Sequence, residues 1–450
     1  MKLLMMELRQ VLHSRLALGA VVLLALLSAL SVWTGLAAVA QQRAALERTA
    51  ASHAQDHAAI AARQFKGGAA DAGALGYYLP HLTVNPPSAL AFVAIGQRDL
   101  QPQALRVRLL GLHSQLYESE AINPELAMPG RFDFAFVLVF LAPLFVIALM
   151  HDLVTGEREA GRLRLLASLP AGAADTWRRR VGLRFGLLWL AALLPVAGGA
   201  LLAGAGMTGF GAIALVATLY LGFWFGLAAW VAARARTSSS SAAILLACLV
   251  GLTMILPTLA DAAIARLAPV SKGVELALAQ RQAVHAGWDI PKPETFARFF
   301  QTHPEWRDTA PVTGRFHWKW YYAMHQVGDQ EVAGEVAQYR ASMAARDSWT
   351  ARAGLLLASV NVQVLLHRLA DTDLTAHLAY QDRIAAYHTR LRGYFYPYLF
   401  DEKRFTQADL ATLPVYEARV SGGTLPLGQL LALGLLAAAI LLVGLRKLRT

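Results

Sequence analysis

Cysteine is almost absent: Cys248 is the single one in 450 residues. No disulfide can form within the chain, so its extramembrane parts must be held by packing, and Cys248 itself reads as a small buried apolar residue. Charge is scarce too. Asp, Glu, Lys and Arg make up 16% of the chain, against about 25% in soluble proteins. There is no G-x-x-x-x-G-K-[ST] phosphate loop, which excludes ATP binding of that kind. No charged residue falls deep inside a long apolar run, which argues against a proton- or sodium-coupled carrier. No repeat of solenoid period is found, and no Ser-His-Asp or paired-carboxylate arrangement can be read from spacing. An enzyme is not expected.

What the chain has in excess is apolar residues, 56% of the total, with a mean hydropathy of +0.41. Six runs of about 19–23 residues are long enough to cross ~30 Å of hydrocarbon as helices. They lie at 16–38, 133–151, 183–204, 210–232, 239–260 and 427–445, the third and fourth joined by a tight hairpin at Gly204–Gly209. The basic residues orient them. Segments 1–15, 152–184, 233–238 and 446–450 hold 15 Lys/Arg against 5 acids, whereas the long loops 39–131 and 261–425 are nearly balanced. By the positive-inside rule the four basic segments are cytoplasmic and both termini lie inside. The pI near 9.9 is thus a topology signal, and no nucleic-acid partner is expected.

Residues 1–15 alternate apolar and polar positions at helical spacing and predict a cytoplasmic interfacial helix. The apolar run ahead of Ala38-Val39-Ala40 exceeds ~20 residues, longer than a signal-peptide core, so an uncleaved anchor is expected. The first external loop, 39–132, opens with an Ala-rich helical stretch, continues as Gly/Pro-punctuated coil, and carries ALAFVAIGQRD (Ala89–Asp99) as a strand or short helix. The second, 261–426, is domain-sized. Pro291 and Pro293 mark a helix start. A long helical stretch is expected from Asp329 to Ala370, interrupted near Ser348 and Asn361. Another follows over about 373–392, capped by Asp371–Asp373 and ended by Gly393. The loop's histidines, His377 and His388 among them, read as solvated rather than metal-binding.

The segment 152–182 after the second apolar run is the most informative. It contains TGEREAGRLRLLASLP (Thr155–Pro170), with Leu163, Leu165 and Leu166 opposite Arg158, Arg162 and Arg164. This pattern of acid-Arg-acid (Glu157, Arg158, Glu159), Gly161, Leu163, Leu165-Leu166 and Pro170, then Arg178-Arg179-Arg180, resembles the segment after the second span of ABC-2-type transporter permeases. Glu7–Gln10 is similar to that family's opening helix. Leu369–Pro397 resembles the external domain of a subfamily without an assigned substrate, whose large loops lie between spans one and two and between five and six. Val360-Asn361 departs from it where a proline is expected.

The resemblance implies an all-α integral membrane protein of six transmembrane helices, N-in and C-in, in the bacterial inner membrane, with a mostly helical extracytoplasmic domain built from two loops and a cytoplasmic tail at 446–450. It implies an ABC transporter permease, more often an exporter, that binds no cofactor itself. A separate ATP-binding subunit would hold ATP and Mg, and a second permease, an identical or sister copy, would complete a dimer. Coupling to the motor falls on Glu157, Arg158, Glu159, Gly161, Leu163, Leu165, Leu166 and Pro170. The surroundings would be membrane lipid, with a periplasmic partner for the external domain. The alternatives are a mechanotransmitting or scaffold subunit that moves nothing across the membrane, and a membrane-anchored periplasmic enzyme. Pro143, Pro195 and Pro257 are candidate hinges. Phe223, Trp224, Phe225 and Trp230 read as lipid-facing or interfacial anchors, and Asp133 and Asp152 as residues at the aqueous ends of span two.

Overall fold

Alanine, leucine and valine dominate the long apolar runs, and in a membrane their backbone polar groups must pair within the segment, which selects helices. The computed structural model describes residues 2–117, 132–167, 172–270, 273–420 and 422–448. Among them, six helices are long and apolar enough to span a membrane: Arg15–Gln64, Phe134–Glu159, Asp175–Leu202, Met207–Arg234, Ser238–Leu267 and Leu427–Lys447, here spans one to six. Ahead of them α1 (Lys2–His13) ends at Ser14, whose hydroxyl caps span one by accepting from the Ala17 amide.

Span one is a single helix of 50 residues, about 75 Å long. The Ala-rich stretch expected as a separate helix is its continuation. No Gly or Pro lies between Gly35 and Gly67, and alanine is the best helix former. The helix therefore projects ~45 Å past a ~30 Å hydrocarbon layer.

Span four is the centre of the bundle. Tyr220, Trp224 and Phe225 are buried completely and Phe223 nearly so, which corrects their reading as lipid-facing anchors. Other spans surround this helix, so its aromatic residues fill the core; only Trp230, half-buried beneath the Arg234 guanidinium, sits as an interfacial residue would. Gly226 and Gly444 let spans four and six touch. A Cβ at Gly226 would stand 2.6 Å from the Leu441 backbone, and one at Gly444 2.3 Å from the Gly226 carbonyl. Span five begins with a capping box between Thr237 and Ser240, as the Ser run suggests. Spans two and five each widen into a π-turn, at Val137–Leu141 and Gly251–Ile255, shortly before Pro143 and Pro257.

The two long loops form one domain. The first supplies α2 (Ala72–Tyr78), the antiparallel strands β1 (His81–Val84) and β2 (Ala104–Val107), paired His81 to Val107, and α3 (Leu112–Tyr117). Span two ends in a short helix, α4 (Thr155–Glu159), and a second, α5 (Leu163–Ala167), follows it. The second loop supplies α6 (Gly273–Ala286), α7 (Lys292–Thr302), α8 (Trp318–Glu331), α9 (Ala333–Gly354), α10 (Ala358–Ala370), α11 (Leu374–Phe400) and α12 (Gln407–Ala411). Leu75, Leu79, Val107 and Tyr117 from the first loop share a core with Phe299, Tyr322, Ile384 and Phe395 from the second.

Asp329 ties the loops together. Its carboxylate accepts from the Leu112 and His113 amides at the start of α3 (2.9 and 3.3 Å), from Gln280 (3.3 Å) and from Arg392 (2.8 Å). The helix N-terminus and the guanidinium together compensate a buried carboxylate.

Several expectations for these loops change. Helix α11 runs through Gly393 to Phe400 because Phe395, Tyr396, Leu399 and Phe400 bury in the domain core. The breaks in the long stretch fall at Val332 and Leu355–Leu357 instead of Ser348 and Asn361. His377 and His388 are buried, not solvated; His388 donates through Nε2 to the Arg108 carbonyl at 2.9 Å. Asp133 is buried at the head of span two, where it accepts from the Ile95 and Phe136 amides. Asp152 is exposed, 3.9 Å from Arg184. Of the tract Ala89–Asp99, Gly96–Asp99 form a short 3-10 helix, whereas Ala91–Ile95 are neither strand nor helix. They are completely buried against the spans, with the Phe92 carbonyl lying where a Cβ on Gly35 would be.

Candidate functional site: the stub after span two

The stub is two helical turns separated by a sharp bend. Gly161 makes the bend, with φ +70°. The Gly161 amide donates to Arg158 O and the Arg162 amide to Glu157 O, the bonding pattern of a Schellman cap, which calls for glycine at the left-handed position. Residues Glu157–Ala167 are thus not one helix but the end of α4 and all of α5, on either side of the bend.

Each member of the acid-Arg-acid triplet binds a different part of the bundle. Glu157 accepts from Arg162 Nε at 2.7 Å and from Arg180 Nη1 at 2.9 Å. Arg180, at the start of span three, also reaches Glu7 of α1 at 3.0 Å. Arg158 donates to the Ala235 carbonyl at 2.6 Å, just past span four. Glu159 accepts from the Ser238 amide at 2.8 Å and from its hydroxyl at 2.9 Å, at the N-terminus of span five. Thr155 adds a hydroxyl pair with Ser238 at 3.0 Å. The stub therefore gathers α1 and the basal ends of spans two, three, four and five.

The leucines divide. Leu163 and Leu166 are half-buried against the bundle core, and Leu165 is 67% exposed. Ala160, Gly161 and Arg162 are exposed beside it. Pro170 lies outside the described residues, as does the side chain of Arg164. A cavity of about 230 Å³ opens between α1 and the stub, lined by Glu7, Asp152, Glu157, Arg162, Arg180 and Arg184. Sequence reasoning missed Glu7 and Ser238 as partners, although both sit in segments already read as basal. The i, i+4 spacing of Arg180 and Arg184 on span three was the available signal that these two share a face. Among the described residues, no group of three or more His, Cys, Asp or Glu is arranged to hold a metal ion.

The fold and this clamp define a multi-pass helical membrane protein whose second span ends in a bound, charged stub. Residues 1–175 match the ABC-2 family transporter proteins, and residues 274–419 match a domain of unknown function, DUF3526. The first match covers α1, spans one and two and the stub, and is consistent with the resemblance read from the stub. No curated protein and no solved structure matches the chain.

Proposed function

We propose that the chain is the membrane-spanning subunit of an ATP-driven exporter of the bacterial inner membrane, with both termini cytoplasmic and a second permease beside it. A separate ATP-binding subunit, carrying ATP and Mg, docks on the stub. The observation that supports this reading is the split within Glu157–Leu166. The charged residues clamp the stub, which ends span two, to the basal ends of spans three, four and five, while Leu165 and the Gly161 bend remain outward. A push on Leu165 would then reach those spans through Glu157, Arg158 and Glu159.

The test is co-purification. The full chain purified from its own cells should retain an ATP-binding subunit, and Leu165→Asp should lose it about ten-fold or more while leaving the permease's own melting temperature unchanged. Loss of the subunit from wild-type complexes would overturn the reading. So would labelling of Leu165→Cys by an impermeant maleimide in intact cells of a Cys248→Ser background.

A second reading, force transmission without passage, is favoured by α10. This helix of the extramembrane domain packs on spans two, four and six, and Ser359 donates to the Leu252 carbonyl in the span-five π-turn at 2.8 Å. Motor strokes could thereby act on an external partner.

A further inference from the structure

Spans three, four and six enclose a groove of about 380 Å³, lined by Val181, Gly182, Phe185, Leu219, Gly222, Phe225, Gly434, Ala437 and Leu441, among others, with Arg178 also on its wall. Its glycines differ from those that bring spans four and six together. A Cβ on Gly182 or Gly222 would meet nothing within 4 Å, and one on Gly434 only Leu219 at 3.9 Å. Small residues here leave space, whereas Gly226 and Gly444 close it. From Gly434 to Leu445 the helix rises about 16 Å, half of the ~30 Å hydrocarbon layer. The groove thus has the depth of one leaflet, from the bilayer middle to the basal surface.

Arg178 stands at the basal end. Its side chain is 42% exposed and, among the described residues, its one ion-pair contact, with Asp175, is long at 3.7 Å. Arg446 and Lys447 follow directly after Leu445, which also lines the groove. Thr218, the polar residue of the wall, is already satisfied, donating to Ala214 O and accepting from Trp189 Nε1. The interior therefore presents apolar surface, and its basal end the partly exposed Arg178 guanidinium.

We propose that this groove holds one acyl chain of an anionic phospholipid of the basal leaflet, with its phosphate at Arg178. The inference rests on the membrane fold alone and is independent of what the protein moves. Basic residues between spans at a membrane surface select anionic head groups, and a chain in the groove restores contacts that an empty apolar cavity lacks.

The experiment uses the full chain in nanodiscs of phosphatidylglycerol and phosphatidylcholine in equal parts, read by native mass spectrometry after release. Wild type should retain phosphatidylglycerol over phosphatidylcholine. Arg178→Gln should weaken that retention about five-fold, the effect of one basic side chain at an anionic surface, and Arg178→Lys should keep most of it. Gly222→Leu, which fills open space, should abolish retention with the melting temperature preserved; Gly182→Leu is the second filling variant should the first fail to fold. Equal retention of both lipids by wild type would overturn the proposal. A change of oligomer mass in Gly222→Leu without lipid loss would also overturn it, since a second copy would then be the occupant. Stabilisation by inorganic phosphate alone as large as that by the lipid would mean an anion site without a chain, and would overturn it as well.

Discussion

Pro143 has no amide hydrogen to offer the preceding turn, and the Tyr220 hydroxyl donates there instead. The Val139 carbonyl, four residues before the proline, accepts from Tyr220 Oη at 2.9 Å in a completely buried setting. A buried carbonyl left alone in hydrocarbon is costly, so this tyrosine stabilises the widened turn that Pro143 imposes. Tyr220→Phe keeps the ring and removes only that bond. It should lower the stability of the detergent-solubilised protein by about 0.6–2 kcal/mol, the range for a hydrogen bond within a helical membrane bundle. Thermal unfolding followed by tryptophan fluorescence checks it; an unchanged melting temperature would show that the turn needs no outside donor. The proline is visible in the sequence and the hinge it creates can be anticipated. Its partner cannot, because 77 residues of chain separate Pro143 from Tyr220 and the packing of span four against span two brings them together.

Helix α10 shows where reading by pattern stops. The six spans are legible because each is a long apolar run, and a helix in hydrocarbon needs little else. The stub is legible as a motif, through Gly161 and the acid-Arg-acid triplet. Helix α10 has only 13 residues, among them Asn361, Gln363, His367 and Arg368, and nothing in its pattern says that Val362, Leu365 and Leu366 are buried against the membrane helices. Its burial depends on a docking surface made by spans two, four and six, which are distant in sequence. The same holds for Val360-Asn361, where the resemblance expects a proline. The helix starts just before this pair, and Asn361 Nδ2 donates to the Gln429 carbonyl at 3.0 Å, at the head of span six. Ser359 serves the Leu252 carbonyl, five residues before Pro257, in the same way that Tyr220 serves Val139. Ser359→Ala should therefore loosen one turn and leave the bundle intact. Amide exchange in the peptide covering 250–258 should rise about five-fold, as for loss of ~1 kcal/mol of local protection, with exchange in span four unchanged. Equal exchange in both proteins would show that α10 rests on span five without holding it.

For the whole molecule, the extramembrane domain is held by contacts that cross between two loops, and with no disulfide available those contacts are noncovalent. Several involve buried histidines. Burial pushes His81 and His388 down to about 3, and His325 and His377 down to about 4, from an ordinary value of 6.5. The sign follows directly. Once the domain unfolds, these histidines take up protons below pH 6.5, whereas in the folded domain they stay neutral until the pH nears 3–4. Acidification from 7 to 5 therefore favours the unfolded state, by about 2 kcal/mol for each such histidine. Asp329 acts in a different window. Burial raises its pKa, but Arg392, His113 and the Leu112 amide outweigh that and hold it below the usual carboxylate value. Its stabilisation is complete above that ordinary value and fades only at lower pH, so it contributes no slope between 7 and 5. The melting temperature of the purified full chain should accordingly fall on going from pH 7 to 5. Even one histidine should produce a drop of about 4–8 °C for a domain of this size. Differential scanning fluorimetry across that range measures it, and His388→Gln, which keeps a donor for the Arg108 carbonyl, should flatten the slope by one proton. A flat profile in the wild type would mean that the histidines between the loops are already solvated in the native protein, and that the cross-loop core is looser than its geometry implies.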